Sequence, residues 1–172
     1  MALTLARLAV AAALAVLAAC AGEQSTDPSF YRDLASPTAA PVDAEMAASM
    51  ISGYRANNGL SPVTIDPGLM QAAEAQARAM AARDKLDRNV IGELRGRLAA
   101  AGYQAKSAVE NVSAGYHTLA EAFSGWRDSP PHRQNMLMPG AARMGIATAY
   151  APNSKYKVYW ALILASPEPG RS

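Results

Sequence analysis

Residues 156–165 run Tyr-Lys-Val-Tyr-Trp-Ala-Leu-Ile-Leu-Ala, apolar on both faces apart from the start. A strand of this kind is a central, covered one, because neither face can be left to water. Ala151-Pro152-Asn153-Ser154 reads as a turn just before it. Residues 143–150 precede that turn, with Met144, Ile146 and Thr148 on one face and Gly145, Ala147 and Ala149 on the other. The two runs therefore predict an antiparallel hairpin. A third strand is expected over residues 107–114.

The covering layers have to be helical. Met46, Met50, Ile51 and Tyr54 recur at helical spacing and predict a helix over Asp43–Asn57, ended by Asn58-Gly59. Asp66-Pro67 opens a second helix, with Asp as the cap and Pro in the first turn. Its inward stripe is Leu69, Ala73, Ala77 and Met80, and its many alanines allow close packing on a sheet. A third helix is expected over roughly Asn89–Ala101, with Ile91, Leu94 and Leu98 inward and Gly102 as stop. Thr118-Leu119-Ala120-Glu121 matches a capping box and starts a fourth helix carrying Phe123 and Trp126. Ser129-Pro130 caps a short fifth. The fold class is α+β, an α-β-α sandwich around a small, mainly antiparallel three-stranded sheet.

The N-terminal region is read differently. Arg7 gives a short positive start, and Leu8 to Ala19 is an unbroken Ala/Leu/Val run. That run is shorter than the ~20 apolar residues a membrane-spanning helix needs. Residues 1–19 read as a signal peptide. Leu17-Ala18-Ala19-Cys20 resembles a bacterial lipobox, which implies cleavage before Cys20, lipid (palmitate) on its sulfur and new N-terminus, and a membrane anchor. The alternative is an ordinary signal peptide that happens to contain Cys20. Ala21, rather than Asp, follows the cysteine, which in a Gram-negative cell points to the outer membrane. Residues 20–41 are expected to form the lipidated cysteine and a flexible tether, rich in Gly, Glu, Gln, Ser, Thr, Asp, Pro and Ala. One domain follows over residues 42–166, with a tail over 167–172.

Composition narrows the function classes. The net charge is only +2, against the basic bias of a nucleic-acid-binding surface. A single cysteine allows no internal disulfide, so stability has to come from a packed core. No nucleophile elbow, phosphate loop or metal-spaced Cys/His cluster is present in the sequence. The chain is expected to be a monomer.

The order of motifs resembles a known family. It runs Tyr54-Arg55 with Asn58-Gly59-Leu60, Asp66 with Leu69, Ala73 and Ala77, then Leu98 with Ala101-Gly102-Tyr103. Glu110-Asn111-Val112, Trp126 with Ser129, His132-Arg133 with Asn135-Met136-Leu137, and Met144-Gly145-Ile146 follow. This is similar to the CAP superfamily (cysteine-rich secretory proteins, antigen five, pathogenesis-related proteins) in its short bacterial, SCP-like form. The resemblance implies an extracytoplasmic domain with a shallow cleft, lined in many members by two histidines and acidic residues that in some hold zinc or another divalent ion. It places Glu110 as the strand carboxylate and His132 as the second cleft histidine. The first histidine's place is held by Arg88. The second acid that many members carry after the Trp has no match beyond Asp128 and Ser129.

Arginine stays protonated and has no lone pair to offer a metal. Tight zinc binding is therefore expected to be lost, and no cofactor is expected. Glu110 shares its strand face with Ala108, Val112 and Ala114, the more apolar side, so a buried carboxylate needs a partner. Arg88 is the expected one, forming either a polarised cleft with His132 and Ser129 or a purely structural salt bridge. His132 falls at the third position of the fifth helix, where the helix dipole disfavours imidazolium. His117 is expected on the surface, Glu121 in the capping box, and Trp126 in the core. The leading functional expectation is a lipid-anchored, non-enzymatic envelope module that binds a small apolar ligand, a glycan or an envelope protein. The alternatives are a hydrolase using Glu110 or His132 as acid or base, a metal-binding domain, and a structural envelope protein.

Overall fold

A computed structural model describes residues 29–168. The signal peptide, Cys20 and most of the tail lie outside the described residues. The elements run α1 (Ala44–Ala56), β1 (Thr64–Ile65), α2 (Pro67–Ala82), α3 (Leu94–Ala100), β2 (Ala105–Ala114), α4 (Leu119–Asp128), α5 (Pro130–Met136), β3 (Arg143–Tyr150) and β4 (Val158–Pro167). The sheet order is β1-β3-β4-β2. β4 lies antiparallel to β3 on one side and to β2 on the other. β1 is a two-residue strand parallel to β3. The sheet thus has a fourth strand, too short to show any alternation in the sequence.

β4 is the covered strand that its composition demands. Val158 through Ala165 are at most 1% exposed. Val158, Trp160, Leu162 and Leu164 face one core with α1, α4 and α5, while Tyr159, Ala161, Ile163 and Ala165 face the other with α2 and α3. Tyr156 falls in the preceding turn, and Lys157 takes a positive φ of 62° there. β3 divides in the same way, with Met144 and Ile146 in the first core and Ala147 and Ala149 in the second. Gly145 sits where the α2 backbone crosses, and a Cβ there would run into the main chain of Leu69 and Met70.

α2 follows its reading: Asp66 caps it by accepting from the amides of Gly68 and Leu69, and Leu69, Ala73, Ala77 and Met80 are fully buried. α4 carries the capping box of Thr118 and Glu121. Trp126 is fully buried, edge-on to Trp160, and its indole N–H donates to Ser113 Oγ at 3.2 Å. α3 is shorter than its pattern suggests. Residues 89–92 are turn and bridge, and Ile91 is exposed rather than inward, whereas Leu98 is buried. Gly92 at φ 95° breaks the helical run ahead of α3.

Two features depart further from the sequence reading. Ser29–Tyr31 form a short 3-10 turn, Leu34 donates its amide to His117 O, and Leu34 and Val42 are buried. Residues 29–42 thus lie against the domain, although the tether was expected to run to residue 41. The anchoring side chains are too widely and irregularly spaced to register as a pattern. The second feature is Arg55, which is fully buried near the end of α1. Its guanidinium donates to the carbonyls of Ser61, Met136, Met138 and Ala141 at 2.8–3.0 Å. These bonds tie α1 to the segment joining α5 and β3, and four oriented carbonyls compensate a charge that has no carboxylate partner among the described residues.

Candidate functional site

Among the described residues β2 is an edge strand, paired only with β4. Its side chains alternate between the two layers, so consecutive residues serve different helices. Glu110 points to the α3 side, in line with Ala108, Val112 and Ala114. Asn111 points to the α5 side. The two layers meet around the free edge of β2, and an open cleft of about 320 Å³ lies there, lined by Arg88, Asn89, Glu93, Leu94, Arg95, Ala108, Val109, Glu110 and Asn135.

Glu110 is held by α3. Its side chain is 1% exposed, and Arg97 Nη2 lies 2.8 Å from both carboxylate oxygens. Arg97 is itself fixed, because its Nε donates to Gly92 O at 3.0 Å. Burial pushes the Glu110 carboxyl above its usual range, and Arg97 opposes this with its hydrogen bond and charge. The expected partner, Arg88, does not fill this role. Arg88 is exposed and makes no ion pair with Glu110 among the described residues. The reason is local geometry. Gln76 of α2, itself buried, donates to the carbonyls of Asp87 and Arg88, fixing the loop's backbone and leaving the Arg88 side chain outside the pairing distance. Arg97 stands on the helix directly over the strand.

Asn111 and Asn135 form the other half of the site. Asn111 Nδ2 donates to His132 O at 3.0 Å. Asn135 Nδ2 donates to Asn111 Oδ1 at 2.8 Å and to Glu110 O at 3.1 Å. A side-chain amide therefore satisfies an edge carbonyl where another strand would otherwise pair. The network docks α5 to β2 and sets His132 beside the edge. His132 is the third residue of α5, as its spacing suggests, and is half-buried. Burial first, then the Arg88 charge, hold its imidazole below the ordinary histidine range. Ser129 occupies the N-cap position of α5, but its side chain makes no capping bond. Of the four residues expected in one cleft, Arg88 and Glu110 line it; His132 and Ser129 do not. His117 is exposed, and its amide is bound by the capping Glu121.

These residues are a poor fit for a divalent cation. Both oxygens of Glu110 are already engaged by a guanidinium, and Arg88 and Arg95 add fixed positive charge. Among the described residues no three His, Cys, Asp or Glu side chains converge. A tetrahedral site needs three or four such donors.

Arg97, Asn135 and Gln76 received no role from the sequence. A signal for Arg97 existed, because it follows Leu94 by three positions and adjoins Leu98, which places it on the inward side of α3. A charge at such a position requires a buried partner, and Glu110 on an apolar strand face is one.

The comparisons with known proteins agree with this fold. The model of the cysteine-rich secretory protein family, CAP, matches residues 48–164. The uncharacterized protein YkwD of Bacillus subtilis (strain 168) is 26% identical over 112 residues, covering 64% of this chain and 44% of that protein. The chain thus spans less than half the length of that relative. An extracellular SCP-domain protein of Bacillus anthracis superposes with a TM-score of 0.62 at 19% identity, over 70% of this chain and 39% of that one. An outer surface protein of Borrelia burgdorferi gives 0.66 at 15% identity, over 75% of this chain and 98% of that one. At such identities the two structures speak for the fold, and the family match speaks for descent: the chain belongs to the cysteine-rich secretory protein, or CAP, family.

Proposed function

We propose that this is an extracytoplasmic CAP domain, anchored to the bacterial envelope by a lipid on Cys20, that acts as a binding module at the cleft beside β2. One observation carries the binding reading: Arg97 occupies both oxygens of Glu110. A carboxylate whose charge is shared with a guanidinium and whose side chain is 1% exposed is a poor general base and a poor metal ligand, since little of its lone-pair capacity is open to a reactant. The cleft that remains is open and polar, and is suited to recognition. The envelope location is supported by the signal-like residues 1–19, the lipobox-like Leu17-Ala18-Ala19-Cys20, and the extracellular and surface proteins that share the fold.

Two experiments test the proposal. Mass spectrometry of the membrane-extracted protein should find a diacylglyceryl group on Cys20, and C20A should release the domain from the membrane. An unmodified N-terminal peptide beginning elsewhere would remove the anchor. For the binding role, the purified chain is presented with peptidoglycan fragments, phospholipid vesicles and envelope peptides. Retention without turnover, weakened at least tenfold by R88Q, is expected. Turnover abolished by E110Q would replace the module with a hydrolase. Its base would then be Glu110 or His132, whose imidazole is held toward the neutral form. Stability loss in the variants with no ligand bound by any of them would leave only a structural role.

A further inference from the structure

We propose that the cleft along β2 takes an anion, a carboxylate, as its ligand group; this rests on the binding reading and names the chemistry it would recognise. Two guanidiniums line the cleft and a third lies behind its wall. Arg88 and Arg95 line the cleft, and among the described residues neither pairs with a carboxylate. Arg97 stands behind its wall, bonded to Glu110, with a side chain only 8% exposed. Among the described residues Arg97 Nη1 is buried and finds no hydrogen-bond acceptor. With essentially no surface of its own it adds positive field at the cleft rather than a contact to a ligand. Against these stand two carboxylates, Glu110, already engaged, and Glu93, which precedes α3 without a side-chain capping bond.

The residual charge at the cleft is therefore about one positive unit. That balance suits a singly charged, planar group better than a doubly charged phosphate. Planar guanidinium forks match a carboxylate in both spacing and geometry. Asn89 adds an amide donor on the same wall, while both protons of Asn135 Nδ2 are already spent on Asn111 Oδ1 and the Glu110 carbonyl. The position of Arg88 is prepared by Gln76, which holds the loop carbonyls of residues 87 and 88 from the core side.

The test is a titration of the isotopically labelled chain, following the Nε–H signals of the arginines and the amide of Asn135 at constant ionic strength. The probes are acetate, inorganic phosphate and methylammonium. Acetate should give saturable shifts, weakened at least fivefold by R88Q and by R95Q. Both residues are exposed, so the fold should tolerate either change. E93Q should tighten acetate by a similar factor, because it removes a competing carboxylate. No saturable acetate shift, or one indifferent to all three substitutions, would overturn the proposal. Saturation by phosphate alone would overturn the carboxylate assignment. Saturation by methylammonium would restore a cation site. If acetate fails while uncharged envelope fragments still bind, the anion assignment falls and the binding module stands. If acetate binds and no envelope fragment does, the module reading falls instead.

Discussion

Arg97 and Glu110 act as a unit, and their separation should be costly. R97M leaves a carboxylate that is 1% exposed with no cation against it, and the expected loss is about 3–5 kcal/mol by chemical denaturation. The pH dependence has a defined sign. Burial raises the Glu110 carboxyl, and without Arg97 it rises further. In R97M the folded state therefore holds a proton that the unfolded chain gives up near its ordinary value. Stability of the variant should be greatest in acid and fall as pH climbs through the raised value. A pH-independent loss would contradict the assignment. R97M/E110L, which removes both charges, should recover most of the stability. His132 runs the other way. Its imidazole titrates below the ordinary 6.5, so protonation disfavours the fold, and its contribution, complete above 6.5, is lost as pH falls through the depressed value. Proton NMR should show the depressed midpoint, and R88Q should move it upward by removing the nearby charge. At this scale the sequence announced a buried acid but not its partner. Arg88 was nearer to the family's pattern, whereas the geometry of a short helix over a strand selected Arg97.

The elements were legible wherever a local signal met a long run. α2, with its Asp-Pro start and alanine stripe, and β4, with its doubly apolar face, could both be read directly. The start of α3 and the whole of β1 could not, for different reasons. Gly92 interrupts a plausible helical stripe, and two residues cannot display an alternation. The contact between α2 and β3 was also hidden, since only the three-dimensional approach shows why position 145 lacks a side chain. G145A would drive a methyl into the α2 main chain at Leu69 and Met70, which cannot move without lifting the helix. An overpacking loss of about 1–3 kcal/mol or more is expected, seen as a lowered midpoint in urea. A neutral result would mean that the helix stands farther from the sheet. The docking of α5 depends on side-chain amides as well as on the burial of Met136. N135L should leave the Glu110 carbonyl without its donor and speed hydrogen exchange of the backbone amides and the Asn111 side-chain amide around the β2 edge, with less effect on β3 and β4.

At the scale of the whole molecule, two cores share one sheet, and the chain before α1 closes over part of the first. The sandwich was legible because every strand and helix had a face to bury. The course of residues 29–42 was not, because composition reports average polarity and overlooks single anchors such as Leu34. Arg55 joins regions that are far apart in sequence, and R55M should strand four carbonyls at once. The expected loss is on the order of 4 kcal/mol, large enough to shift the global unfolding transition rather than a local one. A lysine there, with a compact ammonium in place of a planar fork, should rescue only part of it. That central clasp pairs a permanently protonated donor with main-chain oxygens. It therefore contains nothing that acid could neutralise or an oxidant could attack, and the framework should stay shut through swings in the surroundings that would disarm a carboxylate latch or a thiol bridge.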